Sequence, residues 1–301
     1  MIQPEIKELS SISSIGIGGK ALLVLVDSLP TLTKIVSFHL KEGHDYLIVG
    51  GASNLLFPDE DLTASVLRLS GEFNKTEVVG SKIKVGAGTS VASLLHISQE
   101  LGLSGLEITA GLPGTVGGAV VGNAGSAQRG ISELIDQLEL LTSNGERLVL
   151  KGVELNPCYR DLNLGRELYG SIVTGLTLSL TPSDRDTVTL EVNRRLKSRK
   201  ENQPHGRSLG CVFKNPPGDS AGRLIDRCGL KGLTQGGAIV SQKHANFILN
   251  TGNASSSDVQ SLAFQIRETV KEGFGIKLAL EIKILTPDAR ILEINCEASK
   301  S

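Results

Sequence analysis

Residues 110–126, AGLPGTVGGAVVGNAGS, hold six glycines, one proline and no Asp, Glu, Lys or Arg, and uncharged sequence runs from Ile108 to Gln128. Glycine tolerates positive φ and lets a ligand touch the backbone, so such a run suits a chain folded tightly around something. A phosphate is the obvious candidate, yet no G-K-[ST] ending follows, so this is not a Walker A loop. Anything bound here must be held by backbone N–H groups and a helix start, without a lysine. A tight, buried connection between strands accounts for the same composition equally well. A second loop of this kind, GGASNLL from Gly50 to Leu56, follows the strand-like YLIV. Its Gly50, Gly51, Ser53 and Asn54 suit a ligand loop or a plain turn. Side-chain chemistry is sparser. Cys158, Cys211, Cys228 and Cys296 stand far apart with no C-x-x-C, and the five histidines show no metal-ligand spacing, so no metal is expected.

The elements that must position these loops read as α+β. ALLVLV (21–26) is a strand, a helix capped by Ser28 with Pro30 in its first turn runs to about His39, and YLIV is the next strand. From Ser65 strands dominate, with an apparent hairpin in EVVGSKIKVGAG. Ser90 caps a helix that Gly102 stops. Two further strands are joined by Asn144-Gly145, and SIVTGLTLSLTP ends at Pro182. A polar break at 183–186 marks a domain boundary, and a highly charged helix then runs to Pro204. Strands follow near 238–240 and 247–249. Ser257 caps a helix with Val259, Leu262, Ala263, Ile266 and Val270 on one face. LALEIKIL (278–285) closes the fold as a strand that alternates Glu281 and Lys283 with Leu280, Ile282 and Ile284. Residues after Pro287 read as a tail.

Composition bounds the class. The chain has 301 residues, enough for two or three domains with substantial cores. Glycine supplies 35 of them, above the average of about 7%, and Gly-Gly pairs at Gly18, Gly50, Gly117 and Gly236 spread that excess over several loops. A net charge of -1 argues against broad electrostatic binding of nucleic acid or anionic membrane. No stretch reads as a signal peptide or a membrane span, so a cytoplasmic chain with reduced thiols is expected. Oligomeric state is not legible.

GLPGTVGGAVVGNAG with the upstream GASNLL, then YR, FKNPPGDSAGRLID and KHANFILN, resembles the UDP-N-acetylenolpyruvoylglucosamine reductase (UDP-N-acetylmuramate dehydrogenase) family over about residues 15–285. The resemblance implies a two-part FAD-binding region of the p-cresol methylhydroxylase/vanillyl-alcohol oxidase type (1–70 and 71–182), followed by a C-terminal α+β substrate-binding domain (183–301). It also implies FAD, NADPH as co-substrate and a UDP-sugar substrate in peptidoglycan precursor synthesis, and the lack of a histidine in either glycine-rich loop points to noncovalent FAD. Gly50, Gly51, Ala52, Ser53, Asn54, Gly114, Thr115, Gly117, Gly118, Asn123 and Gly125 then fall in the cofactor-binding loops, and GIGGKA (16–21) also matches. Ala52 stands where the family often has glycine. SAQ (126–128) stands where many members carry a tyrosine, and no tyrosine-bearing insertion is seen. The chain is therefore similar to the branch that lacks the tyrosine substrate loop.

By the same resemblance Arg160 of YRD stabilises charge on a substrate carboxylate, Glu281 assists the enol intermediate, and Asn215 and Lys283 touch substrate. Read from spacing alone, Arg160 is a loop arginine and Glu281 a solvated strand residue. Cys211 takes the place of a family serine in the proton-donor motif. A thiol, with a reference pKa of about 8.5, is protonated at neutral pH and gives its proton up readily. A buried cysteine without chemistry is the plainer reading of that residue type. Two other readings stay open: a different FAD-dependent oxidoreductase of the same fold type, and a non-catalytic nucleotide-binding protein.

Overall fold

The structure is a computed structural model that describes residues 4–126 and 129–292. The first third holds β1 (Pro4–Glu8), β2 (Lys20–Val26), α1 (Leu29–Glu42), β3 (Tyr46–Ile48), β4 (Leu55–Leu56), β5 (Ser65–Leu69), β6 (Thr76–Val79), β7 (Lys82–Gly86) and α2 (Val91–Glu100). The middle holds β8 (Leu103–Ser104), α3 (Val116–Val121), β9 (Ile135–Leu141), β10 (Arg147–Lys151), β11 (Ile172–Ser179), β12 (Thr181–Pro182) and α4 (Arg185–Asn202). The remainder holds α5 (Ala221–Arg227), β13 (Thr234–Gln235), β14 (Ala238–Val240), β15 (Ile248–Asn250), α6 (Ser256–Phe274) and β16 (Lys283–Ile284). Among the described residues no helix is long and apolar enough to cross a membrane.

The chain forms two compact units, and neither is continuous in sequence. The first takes Leu23–Gly51 and Ser65–Glu201; the second takes Ile6–Leu22, Ala52–Ala64 and the chain from Asn202 onward. In the first unit, β2 and β3 flank β5 in parallel, with α1 as the crossover between β2 and β3. A five-stranded antiparallel sheet follows, in the order β10-β9-β11-β7-β6. The apolar faces of that sheet bury Leu138, Leu176 and Leu178 completely, against Leu94 of α2 and Val116 and Val120 of α3. Burying one such side chain contributes roughly 1.5–3 kcal/mol, so the sheet and these two helices form the rigid floor under the glycine-rich loop.

In the second unit α6 lays Val259, Leu262, Ala263, Ile266 and Val270 onto a core with Phe213, Leu224, Ile225, Ile282 and Ile284. The helical spacing read from sequence is that buried face. Its cap is Ser255 rather than the expected Ser257. Ser255 Oγ accepts from the Asp258 N–H at 3.0 Å while Asp258 Oδ2 accepts from the Ser255 N–H at 3.0 Å, and only Ser255 has an acid three residues on to close that box.

The closing segment also differs from expectation. Only Lys283–Ile284 is regular strand, parallel to β4, because the segment changes partners midway. Residues before it pair antiparallel with the 211–214 stretch, and the Val212 carbonyl accepts from both Glu281 N–H (2.8 Å) and Ile282 N–H (3.4 Å). After Pro287 the chain turns back, with a Thr286 N–H to Arg290 O bond at 2.9 Å and an Ile291 bridge to Leu285, so residues 288–292 are part of the fold. The rest of the expected tail, with Cys296, lies outside the described residues.

Candidate active site

The two glycine-bearing loops of the first unit meet backbone to backbone. A Cβ on Gly51 would lie 2.5 Å from Gly114 Cα, and one on Gly50 would collide with Thr115 Oγ1. These glycines are thus demanded by loop-on-loop packing. The first turn of α3 has its own donors occupied within the protein. Val116 N–H donates to Thr89 O and Gly117 N–H to Ala87 O, both at 2.8 Å, and Gly118 N–H reaches Thr115 Oγ1 at 3.4 Å. The donors that remain sit in the loops themselves. The N–H groups of Gly50, Gly51, Gly114 and Thr115 donate to no protein acceptor among the described residues, and all four residues are partly exposed. Two donors from each of two touching loops, with no charged side chain, match a diphosphate bound through main-chain amides. The residues present therefore fit the diphosphate of FAD. Gly118 is exposed, and a Cβ there would meet only Thr115 Oγ1 at 3.6 Å.

Asn123, expected at the cofactor, has its side chain committed within the protein. Its Nδ2 donates to Cys158 O at 2.9 Å, and its Oδ1 accepts from Ser132 Oγ (2.7 Å) and Ser132 N–H (3.2 Å). Three hydrogen bonds thus engage this side chain within the protein. Arg160 lies in the turn that this amide holds. Cys158 and Asp161 exchange N–H to O bonds at 2.9 and 3.2 Å across it, and Arg160 has φ 59. Its Nη1 donates to Gly125 O at 3.2 Å and its guanidinium lies over the Tyr159 ring, 5.1 Å from the centroid. Gly125 therefore meets Arg160 through its carbonyl.

In the second unit the candidates fall on neighbouring hydrogen-bonded segments. Cys211 bridges Phe247, Phe213 bridges Leu280, Glu281 N–H donates to Val212 O, and Lys283 N–H donates to Asn54 O at 2.9 Å. Asn54 Nδ2 donates to Glu281 O at 3.0 Å, so this side chain ties its own loop to the Glu281 backbone. Cys211, Glu281, Lys283, Ser53 and Asn54 are all partly exposed. Ala52 is buried with φ 47, a left-handed conformation in which a Cβ is strained and glycine would not be. Asn215 is exposed and its Oδ1 accepts the Ala221 N–H at 3.0 Å at the start of α5. GIGGKA packs in this unit, with Gly16 against the Arg207 side chain and Gly18 against Leu9 and Phe57.

Two residues without an expected role are prominent. Asn246 is 2% exposed and grips the Phe213 peptide on both sides, accepting its N–H at 2.9 Å and donating to its carbonyl at 2.8 Å. An asparagine among the apolar residues of KHANFILN was the available signal, since a buried amide must find partners. His244 accepts the Asn246 N–H on Nδ1 at 3.3 Å, and burial holds its pKa below the ordinary histidine range. This burial favours the neutral ring that accepts the Asn246 N–H. In the first unit Ser132, buried against Asn123, gave no sequence signal.

A model of an FAD binding domain matches residues 21–151, and one of the UDP-N-acetylenolpyruvoylglucosamine reductase C-terminal domain matches residues 202–285. UDP-N-acetylenolpyruvoylglucosamine reductase 2 of Symbiobacterium thermophilum is 39% identical over 274 residues, 90% of this chain and 88% of the relative. The reductase of Moorella thermoacetica is 40% identical over 270 residues, covering 89% and 88%. The crystal structure of the reductase from Thermus caldophilus superposes with a TM-score of 0.83 at 36% identity, covering 94% of this chain and 99% of that one. The main-chain cradle, the FAD-domain match and full-length likeness to these reductases converge: the chain belongs to the UDP-N-acetylenolpyruvoylglucosamine reductase family of FAD-dependent oxidoreductases.

Proposed function

We propose that this protein reduces UDP-N-acetylglucosamine enolpyruvate to UDP-N-acetylmuramate in the cytoplasm, with NADPH as reductant. The observation that carries the reading is the run of neighbouring segments bearing Asn54, Cys211, Glu281 and Lys283, in a family whose members are named for this substrate. The reaction saturates an enol ether conjugated to a carboxylate. FAD, when bound, supplies the hydride for one carbon of that double bond. The Cys211 thiol gives its proton to the neighbouring carbon, and Glu281 sits one hydrogen-bonded segment away to assist that transfer. Arg160 holds the substrate carboxylate through a guanidinium that is always charged and can grip both oxygens, which stabilises the charge that gathers there.

Gly50, Gly51, Gly114 and Thr115 hold the FAD diphosphate by main-chain N–H groups, while Ala52, Ser53, Gly117, Gly118 and Gly125 shape the surrounding loops. Asn215 and Lys283 contact substrate. Residues 1–70 and 71–182 supply the two FAD-binding parts and 183–301 the substrate part, although 6–22 and 52–64 pack with the chain from Asn202 onward and 183–201 with the first unit. The test is colour. The purified protein is expected to be yellow, to bleach with anaerobic NADPH, and to regain its colour on addition of UDP-N-acetylglucosamine enolpyruvate. A protein that binds no flavin, or that NADPH bleaches but this substrate leaves bleached, would refute the reading.

A further inference from the structure

The turn that carries Arg160 is held in a costly conformation by two residues outside the proposed chemistry, Asn123 and Ser132. Positive φ at a residue with a long side chain is uncommon, and where it persists the surroundings must enforce it. Here Asn123 does so. Its Nδ2 donates to the Cys158 carbonyl at 2.9 Å, the same carbonyl that accepts the closing Asp161 N–H at 3.2 Å. The other end of the amide is fixed by Ser132 through two donors, Oγ at 2.7 Å and N–H at 3.2 Å. Asn123 itself has φ 38, and it and Ser132 are 9% and 7% exposed. Gly130 completes the arrangement, since a Cβ there would overlap Asn123 Oδ1. The end of the chain of bonds is the guanidinium, whose Nη1 reaches back to Gly125 O at 3.2 Å.

We propose that Asn123 and Ser132 are positioning residues for Arg160, a latch that holds the Cys158–Asp161 turn in its left-handed form and so aims the guanidinium at the substrate carboxylate. This rests on the charge-stabilising reading of Arg160. The latch acts through Arg160, so it matters for the step in which charge gathers on the substrate. Loss of one hydrogen bond lowers the population of the aimed form by about 2- to 10-fold.

The measurement is stopped-flow on the FAD-loaded enzyme, with reduction by NADPH and reoxidation by the enolpyruvyl substrate followed separately. Ser132→Ala is expected to slow reoxidation about 2- to 10-fold with reduction unchanged, Ser132→Thr to restore it, and Gly130→Ala, which displaces the amide without removing it, to act in the same direction. The proposal is overturned if Ser132→Ala reoxidises at the parent rate while Arg160→Ala is slow. It is overturned equally if both steps fall together, as a general loss of structure would make them do. Arg160→Ala that reoxidises at the parent rate would instead remove the reading of Arg160 itself, and the latch with it.

Discussion

In the first unit four main-chain N–H groups in two touching loops donate to no protein acceptor among the described residues and have no charged side chain among them, whereas in the second unit Cys211, Glu281 and Lys283 belong to hydrogen-bonded segments whose main chain is already paired. The difference separates two kinds of requirement. A main-chain site constrains residue type by what must be absent, since a Cβ would break the loop packing. A side-chain site constrains it by the functional group present and leaves the backbone to ordinary pairing. The two are therefore broken by different substitutions, and the size of each effect measures how far the division holds.

The largest effect is expected in the second unit. General acid catalysis is worth about 10²- to 10⁴-fold, so Cys211→Ala should slow reoxidation by substrate by roughly that factor and leave reduction by NADPH near normal. Cys211→Ser should recover much of the rate. Stopped-flow separates the two steps, and Cys211→Ala reoxidising as fast as the parent would reduce the thiol to packing.

Next comes the main-chain cradle. Gly51→Val sets a branched side chain where even a Cβ lies 2.5 Å from Gly114 Cα, so the loops must part and the four donors disperse. The purified protein should be pale, with FAD affinity by fluorescence titration down at least about 10-fold, as for loss of one or two hydrogen bonds to a charged group. Full flavin occupancy would show that the donors do not hold the diphosphate.

Gly118→Ala is the finer probe of the same unit. A Cβ there meets only Thr115 Oγ1 at 3.6 Å, and alanine in a helix is favoured over glycine by about 1 kcal/mol. The apoprotein should therefore keep or gain stability in a thermal melt. A fall in FAD affinity alongside an undisturbed melt would place the flavin against this backbone; unchanged affinity would place it elsewhere.

How far this division was legible in the sequence follows from its physical origin. The uncharged glycine run announced a main-chain site, and strict helical spacing announced the buried face of α6. Sequence did not tell which glycines serve packing, because that depends on contacts between residues far apart, as between Gly51 and Gly114. It did not reveal that the first-turn donors of α3 are spent on Thr89 and Ala87, nor that Asn123 is turned inward. Ser255 was passed over for Ser257 because three serines in a row cap equally well until Asp258 selects one of them. The partner change at Glu281 is equally hidden in LALEIKIL, since Leu278, Ile282 and Ile284 stay buried on the apolar side of the alternation while the hydrogen-bond partners switch.

The smallest effect concerns the floor beneath the cradle. Thr89 is 6% exposed, its carbonyl accepts the Val116 N–H, and its Oγ1 is buried without a hydrogen-bond partner among the described residues. A hydroxyl so enclosed has lost its water and gained nothing in exchange, at a cost of about 1–3 kcal/mol. Thr89→Val keeps the shape and removes the buried oxygen. It should stabilise the apoprotein by about 1 kcal/mol, which raises the melting temperature by about 2–4 °C for a domain of 150–250 residues. FAD affinity should stay within about twofold, since no interaction with the diphosphate donors is touched. Thr89→Ser keeps the oxygen and loses a methyl, so it should melt below the parent. If Thr89→Val melts lower instead, the hydroxyl has a partner and the floor is held by a polar contact; if its FAD affinity falls with stability unchanged, a side chain belongs to the cradle and the first unit is not a main-chain site alone.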